Sequence, residues 1–354
     1  GLSAITFFFG VGFLDENFSI ILKKADNFPI ILMVYSMFFF IWLGMNNLTA
    51  AAQIAGIAFI FILTLLFMEL TARKRQKFDN LSSRNSTFKA KKLTGSQSFL
   101  CLVICLIPLV LGFIIPVAIL LSFVIQGFAI TNIELLISAS INSIFIASSS
   151  AFLVVFIATV LVLFTTYHYK NHPIIKVFST ISAMGYAFPG VILAIGAVSF
   201  AGSIDGFLEA LQNDGSRFTF NGFLIGSTGL LIYANVLRFQ AIGHGAIVSG
   251  VNRLSPNIMN ASFVSGKTFS ASMALLAPPL LKKSVLAGGI LVFVDVMKEL
   301  PMTLLLRPFN FETLSTYVYQ FAKDEMLEAS ALAALTIILV GLGPIIIMST
   351  SQKS

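Results

Sequence analysis

The stretch Val294-Asp-Val-Met-Lys-Glu-Leu-Pro301 places three charged residues in the middle of a membrane-length apolar segment that runs from Lys283 to Arg307. A charged residue at the centre of a membrane helix costs about 2.5–3.5 kcal/mol, whereas each apolar neighbour recovers only about 0.3–0.6 kcal/mol. At about 1.5 Å per residue, Asp295 lies roughly 18 Å from Lys283, near the bilayer centre. The segment therefore predicts a helix that packs against other helices instead of lying alone in lipid.

The charged residues Asp295, Lys298 and Glu299 are spaced at i, i+3 and i+4, which predicts that they share one helix face. Two interpretations are open. The carboxylates line or gate a pathway, where oxygen ligands suit a hard cation, or the three residues form an interhelical ion-pair network that fixes packing. Because one lysine cannot neutralise two acids, a further partner or water must lie nearby. Pro301 predicts a kink in the same helix.

The composition excludes an ordinary soluble domain, since 57% of the residues are hydrophobic, 10% are charged and the mean hydropathy is +0.94. Apolar runs of about 20 residues predict an all-α, polytopic transmembrane helical bundle. The net charge of +7 arises from basic residues in alternate loops, which indicates membrane orientation and no nucleic-acid partner. We find no nucleophile–base pair and no metal-ligand cluster, so we expect no catalytic residue, no metal site and no cofactor.

The segment 71–98 contains eight basic residues and one acid, which predicts a cytoplasmic location. If successive loops alternate between the two sides of the membrane, starting from this cytoplasmic segment, the charge of every later loop agrees with its assigned side. The stretch 28–44 is marginal in length, so whether it spans the membrane is open. Six spans are predicted after the basic segment: 99–126, 141–166, 177–203, 222–241, 284–305 and 330–350.

The long loop 242–283 has four basic residues and no acid, which predicts that it is cytoplasmic. We expect a short helix over 257–265 that ends at Gly266, then a second helical stretch stopped by Pro278-Pro279. The run Ser265-Gly-Lys-Thr268 imitates the end of a phosphate-binding loop. However, Ala261 stands where that motif needs its first glycine and no strand precedes it, so we expect ATP to bind a separate subunit.

This loop resembles the loop by which permease subunits of ATP-binding-cassette (ABC) importers dock on their ATPase. That family has the pattern E-A-A, three residues, G, nine residues, I-x-L-P, and this chain has Asn260-Ala-Ser262, Gly266 and Leu276-Ala-Pro-Pro279 at the same spacing. Asn replaces the Glu, Ser the second Ala, and Pro278 the Leu. The resemblance implies a cytosolic ABC ATPase dimer as partner, with these coupling residues: Asn260, Ala261, Ser262, Gly266 and Pro279.

Two further stretches are similar to the ferric-iron importer permeases, namely 295–314 and the Tyr186-Ala-Phe-Pro-Gly190 element. Those permeases typically contain two homologous six-helix modules in one chain. The resemblance implies that 1–70 is the C-terminal remnant of a first module, that 71–98 is a basic cytoplasmic linker, and that 99–354 is a second six-helix module of the type I importer fold. The chain, which opens on Gly1, is then expected to lack its natural N-terminus.

The resemblance further implies a multi-pass permease in the cell (inner) membrane that receives cargo, ferric iron by expectation, from a periplasmic or extracellular binding protein. The alternative is a secondary, ion-coupled transporter with Asp295 and Glu299 as cation or proton sites. Arg238, at the predicted cytoplasmic end of a span, is expected to extend to the membrane interface. The candidate pathway residues are Pro189, Gly190, Asp295, Lys298, Glu299 and Pro301.

Overall fold

The computed structural model describes residues 95–168, 184–212, 224–254 and 257–351, together with Thr64 and Ser182. The chain divides into two units, Gly1–Asp79 and Asn80–Ser354, and the continuous described ranges all belong to the second. The expected module remnant 1–70 (Thr64 apart), the stretch 28–44 and the linker up to residue 94 lie outside the described residues.

Every regular element in the described ranges is helical, which confirms the all-α prediction. The chain forms α1 (Ser96–Leu109), a π-helical turn (Val110–Ile114), α2 (Ile115–Gly127), α3 (Ile133–Leu163), a 3-10 turn (Gly185–Ala187), α4 (Gly190–Gln212), α5 (Thr228–Val251), α6 (Asn257–Val264), α7 (Phe269–Met297), α8 (Pro301–Leu306), α9 (Leu314–Lys323) and α10 (Leu327–Ser351).

Four stretches of the described helices are long and apolar enough to cross a membrane: Ser96–Gly127, Ile133–Tyr167, Gly190–Glu209 and Leu327–Pro344. The helices α5 and α7 carry more polar residues and do not meet that standard within the described part of the chain. They pack against each other and against α3, so the helices least suited to lipid lie between other helices. This is the arrangement that the charged stretch around Asp295 predicted.

Small residues let the three central helices approach closely. The buried face of α3 includes Ala147, Ala151 and Ala158. A Cβ atom added to Gly243 of α5 would overlap the side chain of Val154 on α3. Because lipid supplies no hydrophobic force between helices, such close backbone contact and its dispersion energy hold a membrane bundle together.

The predicted loop 242–283 is largely helical, so its expected length is wrong. The helix α5 continues to Val251 and α7 begins at Phe269, which leaves a connection over 252–268 that contains α6. The expected stop at Pro278-Pro279 is also wrong, because α7 passes through both prolines. Each proline removes one hydrogen-bond donor, and the packing of α7 against α3 and α5 outweighs that local loss.

Other boundaries also differ from the predicted spans. The helix α5 begins at Thr228 instead of residue 222, and α4 continues to Gln212 beyond the expected end at 203. Asp205, which falls between two predicted spans, is therefore helical and buried. Its carboxylate accepts the backbone N–H groups of Leu224 and Ile225 at 3.0–3.2 Å, which fastens the turn before α5 onto α4.

Candidate functional site

The single helix predicted over 284–305 is broken, and Pro301 is the cause. Proline lacks the N–H that would bond the carbonyl of Met297, and its ring clashes with the preceding turn, so α7 ends there. The N–H of Glu299 bonds back to the carbonyl of Val296 at 3.0 Å. Pro301 then opens α8, where its missing N–H costs nothing. The expected kink is a full break, which sends the charged side chains in different directions.

Glu299 pairs with Arg238 of α5, a residue that sequence reasoning placed elsewhere. The Nη1 atom of Arg238 donates to Oε1 of Glu299 at 2.8 Å, and the side chains are 19% and 6% exposed. The same Oε1 accepts the N–H of Met302 at 3.2 Å, in the first turn of α8. The expected interfacial position of Arg238 is wrong, because α5 continues to Val251 and leaves Arg238 near its middle. The sequence signal for this second basic partner was that the single Lys298 cannot neutralise both Asp295 and Glu299.

The Pro189-Gly190 element lies against this ion pair. A Cβ atom at Gly190 would overlap Nη1 of Arg238 and lie 2.9 Å from Oε1 of Glu299. The carbonyl of Pro189 accepts N–H groups from the first turn of α4 at 3.0 and 3.3 Å, so the element starts that helix. Gly185 likewise allows close approach to the backbone of α5. Gly190 and Glu299, which are 109 positions apart in the sequence, thus meet at Arg238.

The backbone carbonyl of Glu299 links α8 and α9 to the break between α7 and α8. It accepts the hydroxyl of Thr303 and the hydroxyl of Ser315, each at 2.9 Å. The N–H of Leu314, at the start of α9, donates to the hydroxyl of Ser143 on α3 at 2.7 Å. Glu299 therefore connects α5, α8 and α9 directly, and α9 extends the network to α3.

Asp295 and Lys298 form a separate pair on the surface of the described bundle. The Nζ atom of Lys298 lies 2.7 Å from Oδ1 of Asp295, and the side chains are 62% and 18% exposed. At the depth that the sequence predicts for them, near the bilayer centre, contact with acyl chains would be unfavourable by about 2.5–3.5 kcal/mol for each charge. This face of the module is therefore suited to water or to another protein surface.

The centre of the bundle also contains polar atoms without a hydrogen-bond partner among the described residues. These are both amide atoms of Asn235, both of Gln240, Nε of Arg238 and the hydroxyl groups of Ser150 and Tyr317. Asn235 and Gln240 lie on α5, as Arg238 does. A buried polar atom without a partner costs about 1–3 kcal/mol. Departures of this kind from optimal packing concentrate at functional sites, which makes the middle of α5 a candidate functional region.

At the end of the bundle that the sequence predicts to be cytoplasmic, α6 and α7 form a sharp corner at Gly266. The N–H of Gly266 bonds the carbonyl of Phe263 at 2.9 Å, and the N–H of Lys267 bonds that of Ser262 at 3.3 Å, which is a Schellman ending. Gly266 has φ 75°, a conformation that disfavours residues with a Cβ atom. Thr268 then caps α7 by accepting the N–H of Ala271. The run Ser265-Gly-Lys-Thr268, which imitates the end of a phosphate-binding loop, forms this corner.

The predicted coupling residues fall on both sides of the corner. Asn260, Ala261 and Ser262 lie in α6, and the Ser262 hydroxyl lies 2.8 Å from that of Ser272 on α7. Pro279 lies inside α7, so the chain turns back at 266–268 and not at the prolines. The exposed face of α6 includes a residue that the motif did not indicate, Val264, which is 89% exposed.

Comparison with protein-family models finds no match. Among curated proteins, the chain is similar to the Fe(3+)-transport system permease protein FbpB 2 of Haemophilus influenzae, with 25% identity over 311 residues. The aligned region covers 86% of this chain and 58% of that relative, so the chain matches little more than half of the relative's length.

Two solved structures share the fold. One is a bacterial ABC transporter involved in the import of the acidic polysaccharide alginate (TM-score 0.53, 15% identity, 72% of this chain and 96% of that chain). The other is a bacterial alginate ABC transporter in complex with a periplasmic protein bound to an alginate pentasaccharide (TM-score 0.55, 16% identity, 71% and 93%). The resemblance seen in the sequence is confirmed: this chain is a multi-pass membrane protein that is related to a ferric-iron permease and has the helical fold of the ABC importer permeases.

Proposed function

We propose that this chain is the transmembrane permease subunit of an ATP-driven importer, in which a cytosolic ATPase dimer drives alternating access. The chain forms the pathway and performs no covalent chemistry, and ATP hydrolysis belongs to the separate ATPase. An external binding protein delivers the cargo.

The observation that carries this proposal is the continuity of α7. Its 29 residues extend about 43 Å as one helix, from the Gly266 corner to the Asp295–Lys298 pair. A helix that packs along α3 and α5 moves as a rigid element. Displacement of α6 by an ATPase would thus be transmitted to charged residues near the bilayer centre.

The surface of α6 supports its role as the docking element. Phe263 and Val264 are 40% and 89% exposed on a helix expected at the cytoplasmic face. The Ser262–Ser272 hydrogen bond and the Schellman ending fix α6 to the first turn of α7. An apolar helix face that enters a groove on a partner is a recurrent mode of protein recognition. Asn260, Ala261, Ser262 and Gly266 belong to this element in our proposal.

For the pathway, we assign distinct roles to the two charged pairs. Asp295 and Lys298, partly exposed near the bilayer centre, face the cargo route. Glu299 is buried against Arg238 and Gly190, so it holds α5 to the α7–α8 break around Pro301. Pro189 and Gly190 position the start of α4 beside the same break. Movement at this point changes the width of the route.

Ferric iron is the cargo that we propose, because the curated relative is named as a Fe(3+)-transport permease. Iron is a hard cation that prefers oxygen ligands. Each acid near the break already has a basic partner, Lys298 for Asp295 and Arg238 for Glu299. A route lined in this way conducts its cargo without binding it tightly, so selection rests with the binding protein.

The same pairing disfavours the secondary transporter. A carboxylate that serves as a proton or cation site must exchange its partner, and both acids are held by basic side chains within 2.8 Å. Uptake into energised vesicles without ATP tests that alternative directly. Uptake without ATP would contradict the importer and support the ion-coupled mechanism.

The decisive experiment is reconstitution of the full transporter in proteoliposomes with its ATPase. Iron-loaded binding protein should stimulate ATP hydrolysis and iron should accumulate only when ATP is present. Replacing Gly266 with leucine should abolish uptake while membrane insertion is intact, because the left-handed corner cannot form normally. Normal uptake by the Gly266→Leu transporter would refute the coupling role of the corner.

A further inference from the structure

The turn between α8 and α9 presents a fully exposed aromatic side chain on a fixed backbone. Phe309 is 102% exposed. The N–H of Phe311 bonds the carbonyl of Pro308 at 3.2 Å, and Asn310 has φ 57°, a left-handed conformation that asparagine tolerates well. The sequence places this turn on the outer side of the membrane.

An ion pair closes the turn at its base. Arg307 pairs through Nη1 with the carboxylate of Glu312 and also donates to the carbonyl of Phe311 at 3.4 Å. The carbonyl of Glu312 accepts the side-chain amide of Asn142 on α3 at 2.9 Å. The turn is therefore anchored to the bundle, and ordering Phe309 against a partner would cost little conformational entropy.

The two helices that hold the turn both contact the bundle. The helix α8 packs on α4 and α5, and α9 packs on α10 and α3. By contrast, the apolar 18-residue window within Ser96–Gly127 contains no buried residue. Phe309 thus lies between two helices that contact the bundle, at an end that the sequence predicts to be outside the membrane, where a protein partner has access.

The charge around the turn indicates the chemistry of the partner. Arg307 and Glu312 neutralise each other. The end of α9 and the following turn contribute more acids than bases, namely Asp324, Glu325 and Glu328 against Lys323. The complementary surface is an apolar pocket with basic residues beside it.

We propose that the turn 307–312 is the surface on which this module receives the external binding protein, with Phe309 inserted in an apolar pocket of that protein. This inference rests on the proposed function, since it requires an importer that uses a binding protein. It adds the residue that anchors the complex. Rigid aromatic side chains at the centre of a contact supply much of the affinity of protein interfaces.

The test uses the full transporter in proteoliposomes and measures ATP hydrolysis against the concentration of iron-loaded binding protein. Phe309→Ala should raise the half-maximal concentration by roughly 30-fold, which corresponds to about 2 kcal/mol, and should leave the basal hydrolysis rate unchanged. Phe128→Ala is the matched control, because Phe128 is another exposed phenylalanine at the outer end of a helix, 62% exposed. It should leave the half-maximal concentration unchanged.

A photo-crosslinking phenylalanine analogue at position 309 provides a second measurement. The cross-link should form with the binding protein and disappear when excess unmodified binding protein competes. Cross-links only to lipid or to another permease segment, or an unchanged half-maximal concentration for Phe309→Ala, would overturn the inference. If binding protein fails to stimulate the unmodified transporter at all, the proposed function itself fails, which is distinguishable from failure of the turn alone.

Discussion

Arg238 and Glu299 lie 61 positions apart in the sequence and 2.8 Å apart in the structure, where they join α5 to the break between α7 and α8. The pair is mostly buried, with Gly190 against it on one side and the first turn of α8 on the other. Buried ion pairs contribute little net stability, but removal of one partner leaves an expensive charge. The pair is thus suited to specifying one arrangement of these helices.

Replacing Arg238 with methionine should destabilise the protein by about 3–5 kcal/mol, because the carboxylate of Glu299 is left buried without its partner. Thermal unfolding of the detergent-solubilised protein measures the loss. The double variant Arg238→Met with Glu299→Gln should recover most of it, since no unpaired charge is left. Equal melting temperatures for the single and double variants would contradict the pairing.

Gly190→Ala should destabilise the protein by about 1–3 kcal/mol, the typical cost of overpacking a filled core. The added methyl group would overlap Nη1 of Arg238. Gly196 on the same helix provides the control, because no atom lies within 4 Å of a Cβ atom placed there. Gly196→Ala should be neutral or stabilising by up to about 1 kcal/mol. Similar melting temperatures for the two variants would refute the close approach at Gly190.

For alanine and asparagine at Gly266, uptake should follow how readily each residue adopts the left-handed backbone, and not the size of its side chain. Alanine at φ 75° is strained by about 1–2 kcal/mol, whereas asparagine adopts this conformation more readily. We expect Gly266→Ala to reduce ATP-dependent uptake and Gly266→Asn to retain most of it. Uptake rates normalised to the amount of protein in the membrane compare the two variants. A larger defect in Gly266→Asn than in Gly266→Ala would argue against this explanation.

Lys298 should be accessible to water in the assembled transporter. In a variant without the two free cysteines, Cys101 and Cys105, a cysteine introduced by Lys298→Cys should react with a charged, membrane-impermeant thiol reagent. Reaction should be slower for Leu286→Cys, which replaces an exposed apolar residue of α7, the helix that ends one residue before Lys298. Modification of Leu286→Cys alone would place the aqueous route on another face of α7.

Tyr317→Phe should leave stability unchanged or raise it by up to about 1 kcal/mol, because the buried hydroxyl has no hydrogen-bond partner among the described residues. Tyr233→Phe is the reference, since Tyr233 is 41% exposed and its hydroxyl is not a buried orphan. Thermal melting of both variants tests the expectation. A loss above 1 kcal/mol in Tyr317→Phe would indicate that this hydroxyl has a partner in the working protein.

Local patterns predicted much of the architecture. The apolar runs indicated the helical class, because it follows from the free energy of moving each residue into the bilayer. The cytoplasmic side, indicated by the alternating loop charges, stays a prediction. Gly266 was correctly predicted to end the α6 helix, since left-handed termination is a local property of glycine. The proline pair at 278–279 was misjudged, because tertiary packing along α7 outweighs two missing donors.

By itself, the sequence determined that three charged residues, predicted near the bilayer centre, require packing partners. It also determined that the two negative charges of Asp295 and Glu299 exceed the single positive charge of Lys298. Only the tertiary structure decided which residue supplies the second positive charge. Arg238 is distant in the sequence, and its depth depends on how far α5 continues, which packing against α3 and α7 determines. The break at Pro301 then directs Glu299 toward Arg238 and leaves Lys298 with Asp295, because a helix that ends at Met297 no longer holds the three side chains on one face.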